Sequence, residues 1–327
     1  MSVELGFVPV AYYAPRLEIA PAMPKNKDQL LTQPVEDLPI LKEHFGDLRF
    51  NLAGMSAGLL QVFHPAIGAG VLEHSDFIRN PWGRIDRSLP QIGAMIYDRN
   101  REERAKEVRN KHRDIKGTDE KKRGYHAYDP ETFSWAHDTF VWAAEKKMDV
   151  FDHRRVTPAH LEQLHQESKL WYSMYGLSQR PVPEDYASLQ KKRNYIYDNV
   201  LEMTPVAQAV LTQLIDGTVE RRPEISKVLW EMGLKIPGNE LLRLLAIGGL
   251  PERVRERFNV PWSTFDAWKL KGIETTVREL LWPRETRMEW PANIRDPRYA
   301  SWAQVQPWER EIRQHANVQQ EGIIYAR

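Results

Sequence analysis

Apolar residues along most of this chain recur three or four positions apart, the period of an α-helix with one buried face. Phe133, His137, Phe140 and Ala144 fall at i, i+4, i+7 and i+11, with Pro130 and Glu131 opening the segment and Asp129 placed to cap it. Thr157-Pro158 sets an N-cap residue before a proline at the first helical position. It predicts a helix to about Tyr175, closed by Gly176. Residues 185–203 and 204–216 have the same character, and Pro205 and Gly217 bracket the second of them. Runs of alternating β-branched residues are scarce, so no sheet is expected. The pattern predicts an all-α fold.

The pattern also divides the chain. Residues 1–40 are proline-rich and aperiodic and read as an irregular N-terminal arm. Residues 41–250 read as a helical core, and 251–327 as a C-terminal helical extension packed on it, in one large domain. Trp262, Trp268, Trp282, Trp290, Trp302 and Trp308 stand among prolines in that extension and read as packing anchors. Stretch 53–72 carries no charge, but Gln61, His64-Pro65 and four glycines interrupt it. It predicts two buried helices joined by a break rather than a membrane span.

Composition narrows the classes. With 327 residues, a net charge of +1 and 28% charged residues of both signs, the chain does not read as a nucleic-acid binder. Its basic runs, such as Lys121-Lys122-Arg123, are short and flanked by acids. Cysteine is absent, which removes disulfides, thiolate-ligated haem and zinc ribbons. The apolar run 5–13 follows Glu4 and contains Pro9, unlike a secretory leader. A cytoplasmic protein with no transmembrane segment is expected. There is no Gly-x-Gly-x-x-Gly, Walker loop or His-Glu-x-x-His, and no Gly-x-Ser-x-Gly hydrolase motif is expected.

Two segments carry the candidate chemistry. Arg84, Arg87 and Ser88 share one side of a predicted helix, which Pro90 should kink. His112 lies on an apolar stripe with Ala105, Val108 and Ile115. Taken alone, His112 and His137 read as hydrogen-bonded core histidines, and the arginines as a solvated face. Glu162-x-x-His165 has the spacing of a di-iron carboxylate bundle, but the second copy that such a site needs is missing.

The order of several motifs joins these pieces. His64-Pro65, Gly70-Val71, His74-Ser75 and Phe77 come first, then Arg84, Arg87 and Ser88. Val108, Arg109, His112 and Gly117 follow, then Tyr125, Ala127, Asp129, Pro130, Trp135, His137 and Thr139. This ordered set resembles the latex clearing protein and ER-bound oxygenase (MpaB) family. The resemblance implies an all-α protein that binds haem b and uses O2 on a hydrophobic, unsaturated substrate, with C=C cleavage to carbonyl products. It implies that His112 binds the iron, that Arg84, Arg87 and Ser88 form the catalytic face, and that Arg84, Arg109 and His137 help hold the cofactor. Arg87 stands where latex-cleaving members have a lysine, and a guanidinium stays protonated and cannot ligate iron. A non-catalytic haem-binding or peroxidase-like protein is the alternative from another class.

Overall fold

Proline and short polar caps decide where the helices start. The computed structural model describes residues 37–98, 100–152 and 155–281. It opens with α1 (Pro39–Phe45), α2 (Leu48–Val62), α3 (Pro65–His74), α4 (Pro81–Tyr97) and α5 (Arg101–Lys111). After a hairpin come α6 (Pro130–Phe151), α7 (Pro158–Met174), α8 (Tyr186–Asn199) and α9 (Pro205–Ile215). A turn at Lys227–Leu229 and a π-helical turn at Trp230–Leu234 lead into α10 (Lys235–Gly248). Then follow α11 (Glu252–Arg257) and α12 (Thr264–Thr276), which ends in a second π-helical turn, Val277–Leu281.

Proline occupies the first turn of α1, α3, α4, α6, α7 and α9, where its fixed φ is already helical and no N–H is needed. Side chains of Asp47, Asn80, Asp129, Thr157, Asp185 and Thr204 accept first-turn N–H groups of their helices. The helix expected over 185–203 stops at Asn199. There the chain turns away to bond α2: Glu202 donates its N–H to the Phe63 carbonyl (2.8 Å), and the Thr204 hydroxyl donates to that of Val62 (2.6 Å).

The fold is all-α, with one correction. Lys116–Thr118 (β1) and Gly124–His126 (β2) pair antiparallel, with Gly117 opposite Tyr125. Three-residue strands are too short to show alternation. Their turn is set by Asp119, which accepts the Arg123 N–H (2.8 Å), and by Lys122 in the left-handed region (φ 63°). The expected arm falls outside the described residues except for 37–40, as do Trp282, Trp290, Trp302 and Trp308. Trp262 packs against the core beneath the Arg255 guanidinium, whereas Trp268 is 71% exposed.

The uncharged stretch becomes α2 and α3, bent by 96° at His64-Pro65. Among the described residues no single helix is long and apolar enough to cross a membrane. Helix α2 lies along α6, and Phe45, Phe50, Leu60, Trp135, Trp171 and Tyr172 fill the space around them.

Helix α6 also carries charge inside. Asp138 and Glu145 both receive Arg193 of α8, at 2.8 Å and 2.6 Å. Burial alone would lower the Arg193 pKa, but these two carboxylates outweigh it and hold it well above the usual value. Two residues onward, Lys147 meets Asp47 (2.9 Å), Asp152 (3.2 Å) and Nδ1 of His44 (2.8 Å). Burial would raise the Asp47 pKa, yet Lys147 and Arg49 hold it below the carboxylate range.

Replacing Arg193 by methionine keeps much of its bulk and strands two buried carboxylates. The expected loss is about 3–5 kcal/mol, read as a lower urea midpoint with helical circular dichroism retained in buffer. A change of only about 0–1 kcal/mol, as for a surface pair, would contradict this account.

Candidate functional site

Helices α4 and α5 pack against each other and bring Arg84 toward His112. His112 does not lie within α5 but caps its end, with helical φ and ψ of −94° and 0°. Its Nδ1 is 2.8 Å from the Val108 carbonyl. A carbonyl can only accept, so Nδ1 carries the proton of the neutral ring and Nε2 keeps its lone pair. Nε2 has no hydrogen-bond partner among the described residues. The ring stands edge-on to Phe133 of α6, with centroids 5.6 Å apart. Burial lowers the His112 pKa; the Val108 bond opposes this, while the charges of Arg84 and Lys111 add to it. The imidazole is therefore neutral at neutral pH.

Arg84 and Ser88 form a closed pair one turn apart. The Ser88 hydroxyl donates to the Arg84 carbonyl (2.8 Å) and accepts from Arg84 Nη1. Burial, followed by the neighbouring Arg87, lowers the Arg84 pKa from its usual value. Among the described residues no carboxylate forms an ion pair with Arg84. Arg87 points elsewhere: it is exposed and bonds Asp76 at 2.7 Å. Helix α4 runs on through Pro90, which leaves the Asp86 carbonyl without its helical donor. Trp82 Nε1 donates to the Glu220 carbonyl (2.7 Å), and Arg222 bonds Asp86 (3.0 Å), so the loop before α10 is tied to this helix.

The other expected site residues lie further off. Arg109 donates to the Tyr175 carbonyl (2.9 Å) and so joins α5 to the end of α7. His137 is buried one turn along α6 from Phe133, with Nε2 within 3.1 Å of the Ser168 carbonyl and its ring centroid 4.5 Å from that of Trp171. Tyr175 lies between the two zones, 4.8 Å from Phe133 and 5.7 Å from His137. Burial brings the His137 pKa down to about 4, against the opposing Asp138 charge and Ser168 bond. His64 is also buried, with Nδ1 unpartnered and its pKa lowered to about 4, chiefly by burial.

Several motif residues do structural work next to His112. Ile115 donates its N–H to the His112 carbonyl (3.3 Å), and β1 begins at the next residue. Tyr125 of β2 donates its hydroxyl to Glu73 of α3 (2.5 Å). A Cβ at Gly117 would fall 2.5 Å from that same carboxylate and 2.8 Å from the Tyr125 hydroxyl, so a side chain there would have to push this pair aside. These contacts clamp the hairpin to α3.

Two other motifs resolve into plain structure. Glu162 accepts from Gln166 (2.6 Å) and from the Tyr186 N–H (2.9 Å), and Nε2 of His165 bonds the Pro183 carbonyl (3.0 Å). Among the described residues no three His, Asp or Glu side chains gather into a metal-binding group, so the di-iron alternative lacks a ligand set. Gly54-Met55-Ser56-Ala57-Gly58 does match the Gly-x-Ser-x-Gly pattern, which corrects the expectation that no such motif is present. It lies inside α2, where Ser56 is buried and donates to the Ala53 carbonyl (3.1 Å), not on the strand-to-helix elbow that a hydrolase needs.

The two buried histidines set an acid limit on stability. Both have an ordinary pKa of 6.5 when unfolded and about 4 when folded. Between those values the unfolded chain binds more protons, so stability is full above pH 6.5 and is lost as pH falls toward 4. Urea unfolding across that window should show a falling midpoint, and His137→Leu should flatten the fall. A midpoint equally steep in the variant would remove His137 from the account.

With this geometry in hand, comparison with known proteins is informative. No curated protein and no solved structure matches the chain. A family model described as ER-bound oxygenase mpaB/B'/rubber oxygenase, catalytic domain, matches residues 43–279. That span covers well over half of the sequence and takes in both α4 and α5, and its description carries a general oxygenase role. The chain belongs to the family of ER-bound oxygenase mpaB/B' and rubber oxygenase catalytic domains.

Proposed function

We propose that this protein is a haem b-dependent oxygenase acting on a hydrophobic, unsaturated substrate of isoprenoid or lipid type. One observation carries the reading: a neutral imidazole with an unbonded Nε2 lies within electrostatic reach of a half-buried arginine, and among the described residues no carboxylate forms an ion pair with that arginine. A haem needs one such nitrogen and welcomes such a cation, so the residues present fit the group.

His112 would hold the iron through Nε2. The Val108 carbonyl fixes the tautomer and leaves the ring little freedom to rotate, while the edge of Phe133 limits its tilt. Burial and the Arg84 charge keep the ring unprotonated, so no proton has to leave before it can ligate. Haem b, when bound, supplies the O2 chemistry that no side chain of this chain can supply.

Arg84 has a separate task. Ser88 holds its guanidinium from one side, and the remaining N–H groups are left to meet negative charge, either on a propionate or on reacting oxygen. Ser88 commits its own proton to the Arg84 carbonyl and so acts as a positioning residue. Arg87 is held by Asp76 and would contribute mainly long-range charge. An apolar substrate would need no charged partner, and the edge of Phe133 beside His112 is apolar.

The test begins with haem titration followed by absorbance. Wild type should take up one haem per chain, and His112→Ala should take up none while keeping its helical circular dichroism. Full occupancy in that variant would overturn the assignment. Product analysis with 18O2 and unsaturated isoprenoids should then give labelled carbonyl products. Arg84→Ala should lower turnover by about 10²-fold with haem retained, and Arg87→Ala should lower it far less. Haem loss in proportion to activity in Arg84→Ala would make Arg84 a propionate anchor. Stoichiometric haem with no turnover of any candidate would favour the non-catalytic alternative.

A further inference from the structure

The segment 228–236 is unusual in what it shows to solvent. Val228, Leu229, Met232, Leu234 and Ile236 are all exposed, Met232 to 78% and Ile236 to 83%. Single exposed apolar residues are ordinary, but five in nine positions are not. Loose packing does not explain them. Trp230, in their midst, is buried, and Gly238 lies so close beneath its ring that a Cβ there would come within 2.7 Å. The buried tryptophan fixes the π-helical turn in place and turns its neighbours outward.

The apolar surface continues onto α12. Lys269 bonds Glu240, one turn from Ile236, and lies 4.8 Å over the ring of Phe265. Phe265 stacks on Trp268 with centroids 5.8 Å apart, and both rings are exposed. Beyond them, Leu241, Trp268, Ile273 and Val277 line an open apolar groove of about 490 Å³ between α10 and α12.

Shape and charge together select the occupant. Val228, Leu229, Met232, Leu234 and Ile236 take no part in that groove and project from the surface, unlike the side chains of the packed, concave pockets that anchor protein–protein hot spots. Lysine is depleted in the cores of protein interfaces but is at home beside apolar side chains at a lipid surface, where its stem lies along the acyl boundary and its ammonium meets headgroup phosphate. Lys227 precedes the apolar run and has no ion pair among the described residues. Lys235 stands near its end and balances Glu231 across one turn, at 3.7 Å. Exposed aromatic rings alongside complete an interfacial pattern.

We infer that segment 228–236 is a membrane-surface wedge that seats its apolar side chains at the headgroup–acyl boundary of an anionic phospholipid bilayer. The protein lies on the bilayer through this turn and does not span it. The inference stands apart from the haem reading, since none of its residues touches His112 or Arg84.

The chain has no cysteine, so Met232→Cys can carry a single environment-sensitive fluorophore on the full-length protein. Vesicles of phosphatidylcholine with a minor share of phosphatidylserine should shift its emission to the blue, and nitroxide-bearing lipids should quench it. Unlabelled protein should sediment with the same vesicles, and the double variant Met232→Glu, Ile236→Glu should do so about tenfold less or weaker, with wild-type haem uptake and circular dichroism. A label that neither shifts nor is quenched overturns the inference, as does equal sedimentation of wild type and a folded double variant. A shift that follows protein concentration without vesicles assigns the surface to a second copy of the chain and overturns it too. Should the double variant fail to fold, the label alone decides.

Discussion

Helix α6 carries its polar side chains into the interior, and each must be answered by a different neighbour. Arg193 of α8 answers Asp138 and Glu145; Asp47, at the corner between α1 and α2, answers Lys147; Ser168 of α7 answers His137. Buried charge is tolerated only when paired, so the partners fix the azimuth of four helices around one axis. Apolar contact between α2 and α6 supplies the attraction but no unique angle. The ion pairs and hydrogen bonds supply that. Even α1, whose N-cap is the apolar Leu38, is capped from outside: Glu167 of α7 accepts the N–H groups of Ile40 and Leu41 at 3.1 Å and 2.9 Å.

The candidate site takes its order from this arrangement at second hand. Phe133 sits on α6 one turn before His137, and it is the ring against which His112 is set. Tyr175 closes the space behind, held in line because Arg109 reaches the end of α7. The imidazole is thus placed by helices whose own positions are settled by charges some distance away. His112 and Arg84 themselves make few polar contacts: the Val108 carbonyl takes Nδ1 of the first, and Ser88 takes Nη1 of the second.

Helix starts were legible because their signals are local. Asp129-Pro130 and Thr157-Pro158 contain their caps within a few residues, and the structure places the helices there. The end of α8 was not, since it depends on a bond from Glu202 to Phe63, far away in sequence. The hairpin escaped notice because three-residue strands have no period to read. At the site, the residue types at 84, 88 and 112 could be read as a set, but their orientations could not. Nothing in the sequence says that Arg87 turns to Asp76, or that Arg109 is engaged with the Tyr175 carbonyl. The exposure of Trp268 was likewise hidden, because tryptophan's usual burial outweighs any local cue.

The short link between His112 and the hairpin has a consequence for how this fold can vary. His112 is bonded through Ile115, β1 starts at Lys116, and β1 and β2 are locked to α3 through Gly117, Tyr125 and Glu73. There is no slack in those few residues. One inserted residue would either rotate the imidazole away from Arg84 or lift the hairpin off α3. An added residue around 119–123, at the exposed far end of the hairpin, would disturb the ion pairs of Lys121 and Arg123 with Glu202 but not the link to His112. The spacing from histidine to glycine is therefore a ruler that fixes a nitrogen atom relative to α3, three elements before the strand.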